Sequence, residues 1–223
     1  MIELLQQDNL LIGAKEAICA LEQKDHARIL IASDSHNHFN ILTAILQQFG
    51  PTCDCFAFCG DGLSDIANIF SLAQADESLR SCLPPVIAFV SGNCDPSTYP
   101  VSAGRLRPKE IKAPPRQIIS VNGQNIMITH GHREGIEYGF ENYGLEMKLE
   151  NCTTGLFGHT HIAELSYEEN YRFINPGSCS NPRGGQPQSF AILTVEKTFV
   201  DAAFLMIEKK PGEKDTYKLW TPN

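Results

Sequence analysis

Five short clusters of polar residues each follow an apolar run, and their side chains are of types that bind divalent metal ions. Asp and Asn supply oxygen ligands and His supplies an imidazole nitrogen, a mixture that suits Mn²⁺, Fe²⁺, Zn²⁺, Ni²⁺ or Co²⁺ better than a thiolate site would. A carboxylate can also bridge two cations about 3.5–4 Å apart, as in two-metal hydrolytic sites. The clusters are Asp34-x-His36, Gly60-Asp61, Gly92-Asn93, His130-x-His132 and Gly158-His159-x-His161.

The first three clusters stand where predicted strands end. Arg28–Ser33, Cys55–Cys59 and Val86–Val90 are short apolar runs typical of buried parallel strands. Helices are predicted between them, over Phe39–Phe49 and Ser64–Ala75. This alternation predicts βαβ crossovers and a parallel sheet. Because ligand sites gather outside the carboxyl ends of such strands, we expect the clusters to converge.

The second half of the chain follows a different pattern. Residues 96–116 contain five prolines and are predicted to form an irregular loop. Asn122-Gly123 is a strong hairpin signal, and the later segments predict mainly antiparallel strands. The sequence therefore predicts an α/β fold in which a two-sheet β-sandwich of mixed strands is flanked by helices. The predicted later elements are strands at 117–121, 124–129, 155–157, 163–167, 171–174, 189–195 and 200–207, and a helix at 143–151.

The length of 223 residues suits one α/β domain. We expect an N-terminal helical extension over residues 1–26, a main domain over 27–207 and a C-terminal tail over 208–223. An amphipathic helix is predicted at 9–23, and its apolar side needs a partner. That partner is the sheet, the site or a second copy of the chain, so a homo-oligomer remains open.

Composition limits the classes of partner and the compartment. The net charge is −8, which disfavours non-specific binding to nucleic-acid polymers or membranes. No run approaches the roughly 20 apolar residues of a membrane span, and no signal peptide is recognisable. We therefore expect a cytoplasmic protein whose eight cysteines remain reduced. Cys53, Cys55 and Cys59 fit a buried-strand pattern better than a zinc site.

The order of the motifs resembles the calcineurin-like metallophosphoesterase superfamily. The resemblance covers about residues 28–195 and rests on the five clusters together. Gly92-Asn93-Cys94-Asp95, and Asn175-Pro176-Gly177-Ser178 followed by Asn181-Pro182-Arg183, resemble the small bacterial and archaeal phosphodiesterase branch. The fold implied by the resemblance, a sandwich of two sheets, agrees with the strand pattern.

The resemblance implies a two-metal phosphoesterase that acts on a small phosphate ester, with a diester favoured over a monoester. A hydroxide bridging the ions would attack phosphorus in line with the leaving group. Two divalent ions are expected, with Mn²⁺ the first choice and Ni²⁺, Fe²⁺, Zn²⁺ or Co²⁺ as alternatives. The implied ligands are Asp34, His36 and His161 for the first ion, Asn93, His130 and His159 for the second, and Asp61 as the bridge.

The group that protonates the leaving oxygen is not fixed by the sequence. Many superfamily members have a histidine directly after the Gly-Asn pair, whereas this chain has Cys94. Cys94 is one candidate acid, and its alternative is a small filler beside the metals. His132 is the other candidate, and its alternative is to hold the His130 loop. Arg133 is a candidate for binding a phosphate oxygen, although a lone loop arginine is usually a solvated charge.

Two other functions compete with the phosphoesterase. The first is a non-catalytic, metal-binding protein-interaction scaffold on the same fold, like the retromer subunit that resembles this branch. Such scaffolds tend to lose ligands, whereas all seven positions here keep donors. The second is a nuclease of the same superfamily, which the lack of a basic stretch disfavours. The physiological substrate is not readable from the sequence, because unpredicted loops form the pocket walls.

Overall fold

The computed structural model describes residues 4–103, 106–209, 212 and 214–222. The α-helices are α1 (Lys15–Glu22), α2 (Phe39–Phe49), α3 (Leu63–Ala73), α4 (Glu77–Ser81) and α5 (Glu141–Leu149). The strands are β1 (His26–Ala32), β2 (Cys55–Phe58), β3 (Val86–Phe89), β4 (Thr98–Ala103), β5 (Leu106–Lys112), β6 (Arg116–Val121), β7 (Gln124–Thr129), β8 (Thr154–Leu156), β9 (Ala163–Glu168), β10 (Tyr171–Pro176), β11 (Ser189–Glu196), β12 (Val200–Glu208) and β13 (Thr216–Trp220).

The strands form two large mixed sheets and one small ribbon. The six-stranded sheet has the order β13-β12-β11-β1-β2-β3, and the five-stranded sheet has the order β6-β7-β8-β10-β9. Strands β1, β2 and β3 are parallel to one another, while β11 runs antiparallel to β1. The fold class predicted from the sequence, a mixed two-sheet sandwich flanked by helices, is therefore confirmed.

The alternation of side chains along β1 explains the layers. Ile29 and Ile31 point between the two large sheets, where they join one apolar cluster. Leu30 and Ala32 point the other way, toward α2 and α3, in a second cluster. Helix α5 covers the outer face of the five-stranded sheet through a third cluster that includes Phe173. Burial on both faces of β1 is what its continuous apolar run predicts.

The N-terminal segment covers an open edge of the sandwich. Ile12 and Ile87 of β3 exchange two backbone hydrogen bonds of 2.8 Å, so this segment extends the sheet. The predicted helix over 9–23 was too long, because α1 begins only at Lys15. Gly13 has φ +146°, and a Cβ there would overlap the carbonyl oxygen of Pro85. Ile18 of α1 is buried in the core between the sheets.

Two regions have more regular structure than the sequence predicted. The irregular loop predicted over 96–116 was wrong, because β4 and β5 pair there as an antiparallel ribbon that packs on α3. A two-stranded ribbon has two open edges, which tolerate the prolines. The segment expected as a C-terminal tail contains β13, which pairs with β12 and packs Trp220 against the core. Among the described residues, no helix is both long enough and apolar enough to span a membrane.

Candidate metal centre

The five polar clusters meet at one end of the two large sheets. Each follows the carboxyl end of its own strand, from β1, β2 and β3 in one sheet and from β7 and β8 in the other. Five residues of these clusters, together with Cys94, form three overlapping groups in which the ligand atoms lie within 4.8 Å of one another, and His159 is in none of the three. These groups are Asp34, His36 and His161; Asp34, Asp61 and His130; and His36, Asp61 and Cys94.

The first half of the centre consists of Asp34, His36 and His161. His161 Nε2 lies 3.3 Å from Asp34 Oδ1 and 3.0 Å from His36 Nε2. Asp34 is fully buried, and its Oδ1 has no hydrogen-bond partner among the described residues. A buried carboxylate oxygen without a partner is costly unless a cation satisfies it. These three donors therefore fit a divalent metal ion.

The second half brings together Asn93, His130 and His159. His130 Nε2 lies 3.1 Å from Asn93 Oδ1, and the rings of His130 and His159 have their centroids 5.2 Å apart. Asp61 stands between the halves, because its Oδ2 is 3.5 Å from His130 Nε2 and 3.8 Å from His36 Nε2. A carboxylate in that position is able to bridge two ions.

Several of these residues have a strained backbone. A positive φ costs a non-glycine residue on the order of 1–3 kcal/mol, and such strain concentrates at functional sites. The loops also pack tightly, since a Cβ on Gly92 would overlap Asp61 Oδ1. The left-handed φ values are 54° at Asp34, 43° at His36, 55° at Asp61, 69° at His159 and 60° at His161.

The carboxylates and imidazoles shift one another's protonation. Burial opposes the ionisation of Asp61, but hydrogen bonding to His130 and the Cys94 backbone holds the pKa of its carboxyl below the usual value. Burial lowers the pKa of His130, yet Asp61 and Asp34 outweigh it and the net pKa is raised. Asp34 raises the pKa of His161 in the same way. The pocket is thus strongly attractive to positive charge.

Two of the histidines are oriented by backbone carbonyls. His130 Nδ1 lies 2.7 Å from the carbonyl oxygen of Cys59, and His161 Nδ1 lies 2.6 Å from that of Asn181. If Nδ1 carries the proton in each ring, Nε2 is left unprotonated on the side of the carboxylates. Ligand histidines in metal sites commonly have such a partner on their second nitrogen.

The residues proposed to act on the substrate lie at the open side of the centre. Cys94 is exposed, and burial followed by the nearby Asp61 raises the pKa of its thiol to about 11. The His132 ring lies 5.3 Å from that of His130, and burial followed by the charge of His130 lowers the pKa of His132. Arg133 is exposed and close enough to contribute to that lowering.

Asp95 holds two of the loops together, a role that the sequence analysis did not predict. Its carboxylate accepts hydrogen bonds from the backbone N–H groups of Asp61 (2.7 Å), Gly92 (3.0 Å), Leu63 (3.0 Å) and Gly62 (3.2 Å). Three of these donors belong to the start of α3, about thirty residues earlier in the chain. Local spacing does not reveal a contact over that separation.

The Asn175–Ser178 segment supports the loop of Asp34. Ser178 Oγ donates to the carbonyl oxygen of Asp34 at 2.7 Å, and Ser180 Oγ donates to the same oxygen at 2.9 Å. Asn175 Nδ2 donates to the carbonyl oxygen of Gly158 at 2.9 Å. The segment therefore joins the loops that follow β1 and β8.

Comparison with known proteins agrees with this geometry. Residues 28–198 match the family model described as the calcineurin-like phosphoesterase superfamily domain. The probable metallophosphoesterase YsnB of Bacillus subtilis is 30% identical over 186 residues, which cover 83% of this chain and 93% of YsnB. The phosphodiesterase YfcE of Escherichia coli K12 is 28% identical over 178 residues, which cover 74% of this chain and 86% of YfcE.

Solved structures share the fold. A predicted phosphoesterase from Streptococcus pneumoniae TIGR4 superposes with a TM-score of 0.61 at 24% identity, covering 88% of this chain and 99% of that one. Vacuolar protein sorting 29 from Cryptosporidium parvum superposes with a TM-score of 0.59 at 14% identity, covering 89% of this chain and 100% of that one. At these identities the likeness concerns the fold alone.

Proposed function

The chain belongs to the calcineurin-like phosphoesterase superfamily, and from that premise we propose that it hydrolyses a small phosphate ester with two divalent metal ions. A diester is the favoured substrate class, as the name of the relative YfcE suggests. One observation carries the two-metal proposal. Asp61 lies between two groups of metal-binding side chains, 3.5 Å from His130 Nε2 and 3.8 Å from His36 Nε2.

The proposed ligands divide as the motifs imply. When bound, the two ions supply an activated water and neutralise charge on the phosphoryl oxygens. Mn²⁺ is the first choice, and Ni²⁺, Fe²⁺, Zn²⁺ and Co²⁺ suit the same mixture of donors. The first ion would be held by Asp34, His36 and His161, the second by Asn93, His130 and His159, and Asp61 would bridge them.

The chain's own side chains would handle the leaving group. A Cys94 thiol with a pKa near 11 keeps its proton at neutral pH and is able to donate it, but it is a weak acid. His132 has a lowered pKa and is therefore a neutral imidazole near pH 7, suited to orienting the substrate by a hydrogen bond. We propose that esters with poor leaving groups react slowly. Arg133, at the exposed rim, would pair with a phosphate oxygen.

A second candidate is a non-catalytic, metal-binding scaffold for protein partners. The observation that favours it is the fold shared with vacuolar protein sorting 29 over 89% of this chain. Fold alone does not fix function, so the site must decide between the two. Here the site keeps donors at all seven ligand positions, and its rim at Asn93 and Cys94 is open to solvent. Those features favour the hydrolase.

The test is hydrolysis of bis(p-nitrophenyl) phosphate and p-nitrophenyl phosphate by metal-stripped protein, with Mn²⁺, Ni²⁺, Mg²⁺ or no metal added. We expect metal-dependent turnover that prefers the diester and is lost in Asp61→Asn. Asp201→Asn is the matched control, because Asp201 is exposed and pairs with Thr194 opposite the start of β1, at the far end of the sheet.

The outcomes separate the two candidates. Turnover that survives in Asp201→Asn but not in Asp61→Asn supports the hydrolase. Two bound ions per chain without turnover on either ester would favour the scaffold. Failure to bind any divalent ion would overturn both candidates.

A further inference from the structure

The two halves of the metal centre differ in charge. The first half has a carboxylate of its own, Asp34, besides its share of the bridging Asp61. The second half adds only neutral donors, namely the Asn93 amide and two imidazoles. Ligand charge is a main determinant of how tightly a divalent ion binds. An ion in the second half would therefore be held more weakly than one in the first, unless a neighbouring group adds negative charge.

Glu137 places such a charge beside the second half. Its Oε1 lies 3.7 Å from His159 Nε2, and the two side chains are 41% and 25% exposed. The carboxylate is thus next to the imidazole without being a member of the ligand set. Neither the sequence motifs nor the proposed reaction gives Glu137 a role.

The turn that carries Glu137 is firmly built. After His130, the backbone N–H groups of Glu134 and Gly135 both bond to the carbonyl oxygen of Gly131, at 3.2 and 3.0 Å. The next residue, Ile136, is buried and packs so closely on Gly131 that a Cβ there would overlap its side chain. Glu137 directly follows this anchor, so the backbone that carries its carboxylate is held in place beside the site.

His159 differs from the other oriented histidines in the kind of partner it has. His130 and His161 face neutral backbone carbonyls of Cys59 and Asn181. His159 faces a carboxylate. A carboxylate beside a ligand histidine makes the imidazole a stronger donor. It also adds a negative charge close to the ion.

Resting on the two-metal function proposed above, we propose that Glu137 is a positioning residue for the second metal ion. Its carboxylate stands 3.7 Å from the His159 imidazole and supplies the negative charge that the second ligand set lacks. Removing this charge weakens the binding of the second ion. The affinity for the first ion stays unchanged, because Asp34 and His161 have no contact with Glu137 among those described.

The experiment compares full-length wild type, Glu137→Gln and Glu141→Gln, each stripped of metal and titrated with Mn²⁺. Bound ions are counted by calorimetry and by the electron paramagnetic resonance signal of free Mn²⁺. Glu141→Gln removes the same charge four residues away, where the carboxylate lies beside Gly139 instead of a histidine. Loss of such a partner typically weakens metal binding by about 10–100-fold. We expect that loss for one ion in Glu137→Gln and for neither in Glu141→Gln.

A second measurement follows the His159 imidazole directly. In the Zn²⁺-loaded protein, nitrogen-15 NMR is expected to show a His159 imidazole shift in Glu137→Gln that differs from wild type and from Glu141→Gln. Unchanged affinities for both ions in Glu137→Gln overturn the inference, and so does equal weakening in Glu141→Gln. Wild type that binds fewer than two ions overturns the two-metal function first, which distinguishes the two failures.

Discussion

Replacing Asp95 with asparagine tests whether this carboxylate holds the metal loops together. Oδ2 accepts from the backbone N–H groups of Asp61 at 2.7 Å and Gly92 at 3.0 Å. Oδ1 accepts from those of Leu63 at 3.0 Å and Gly62 at 3.2 Å. Asparagine keeps one of these acceptors and turns the other into an NH₂ group that faces two N–H donors. Two hydrogen bonds to a charged acceptor are thereby lost.

The size of the effect follows from those two bonds. A hydrogen bond to a charged group contributes about 1.5–3 kcal/mol to stability. Asp95 is half-buried, so the lower end applies and the loss is about 3 kcal/mol. For a domain of this size each kcal/mol shifts Tm by about 2–4 °C. We therefore expect the Tm of Asp95→Asn to fall by roughly 6–12 °C.

The assay is thermal unfolding of metal-stripped protein followed by circular dichroism. Asp76→Asn is the matched control, because Asp76 caps α4 by accepting from the Leu79 backbone N–H at 3.1 Å. Asparagine caps a helix about as well as aspartate, so this variant should stay near wild type. A Tm for Asp95→Asn that matches the Asp76→Asn control would refute the holding role of Asp95.

Four further predictions concern catalysis, metal affinity, the pH dependence of stability and the N-terminal segment. Cys94→His should speed the hydrolysis of alkyl esters by about tenfold or more, and should speed that of nitrophenyl esters less. The reason is that an imidazolium is a better acid than a thiol with a pKa of about 11. Equal gains in rate for both ester types would contradict this. Mn²⁺ affinity, measured by titration at pH 6 and pH 8, should rise with pH, because His130 and His161 have raised pKa values and must lose protons to bind metal. The metal-free protein should show the opposite sign from these two groups: their stabilisation is full below the unfolded pKa of 6.5 and is lost as the pH rises through the raised folded values. Deleting residues 1–22 uncovers the β3 edge at Ile87 and should cause the protein to self-associate. Size-exclusion chromatography with light scattering measures this. A monomer of unchanged Tm would show that the N-terminal segment is not needed to protect the edge.

The parts of the fold that follow from local pattern could be predicted from the sequence. The apolar run before Asp34 alternates between two buried faces. Both the strand and the polar residues that follow it could therefore be predicted. The hairpin at Asn122-Gly123 is fixed by turn chemistry within two residues. The β4–β5 ribbon was not predicted, because its prolines argue against strands. The two strands pair only with each other and pack on α3, outside the two large sheets.

The candidate site divides in the same way. The residue types that bind metal are recognisable at strand ends, and the structure brings Asp34, Asp61 and His130 within 4.8 Å of one another. Asp95 and Glu137 were missed because their partners are distant in sequence and neither spacing nor residue type identifies them. A carboxylate that accepts backbone N–H groups looks, in sequence, like any surface aspartate.

The strain of the ligand loops shows why those distant residues matter. Asp34 and Asp61 adopt left-handed φ values of 54° and 55°, which an isolated loop would abandon for ordinary conformations. Ser178 and Ser180 hold the carbonyl of Asp34, and Asp95 holds the N–H of Asp61. These contacts join the protein's own side chains to backbone atoms of the ligand loops. The fold itself therefore sets the positions of the carboxylates that would hold the ions.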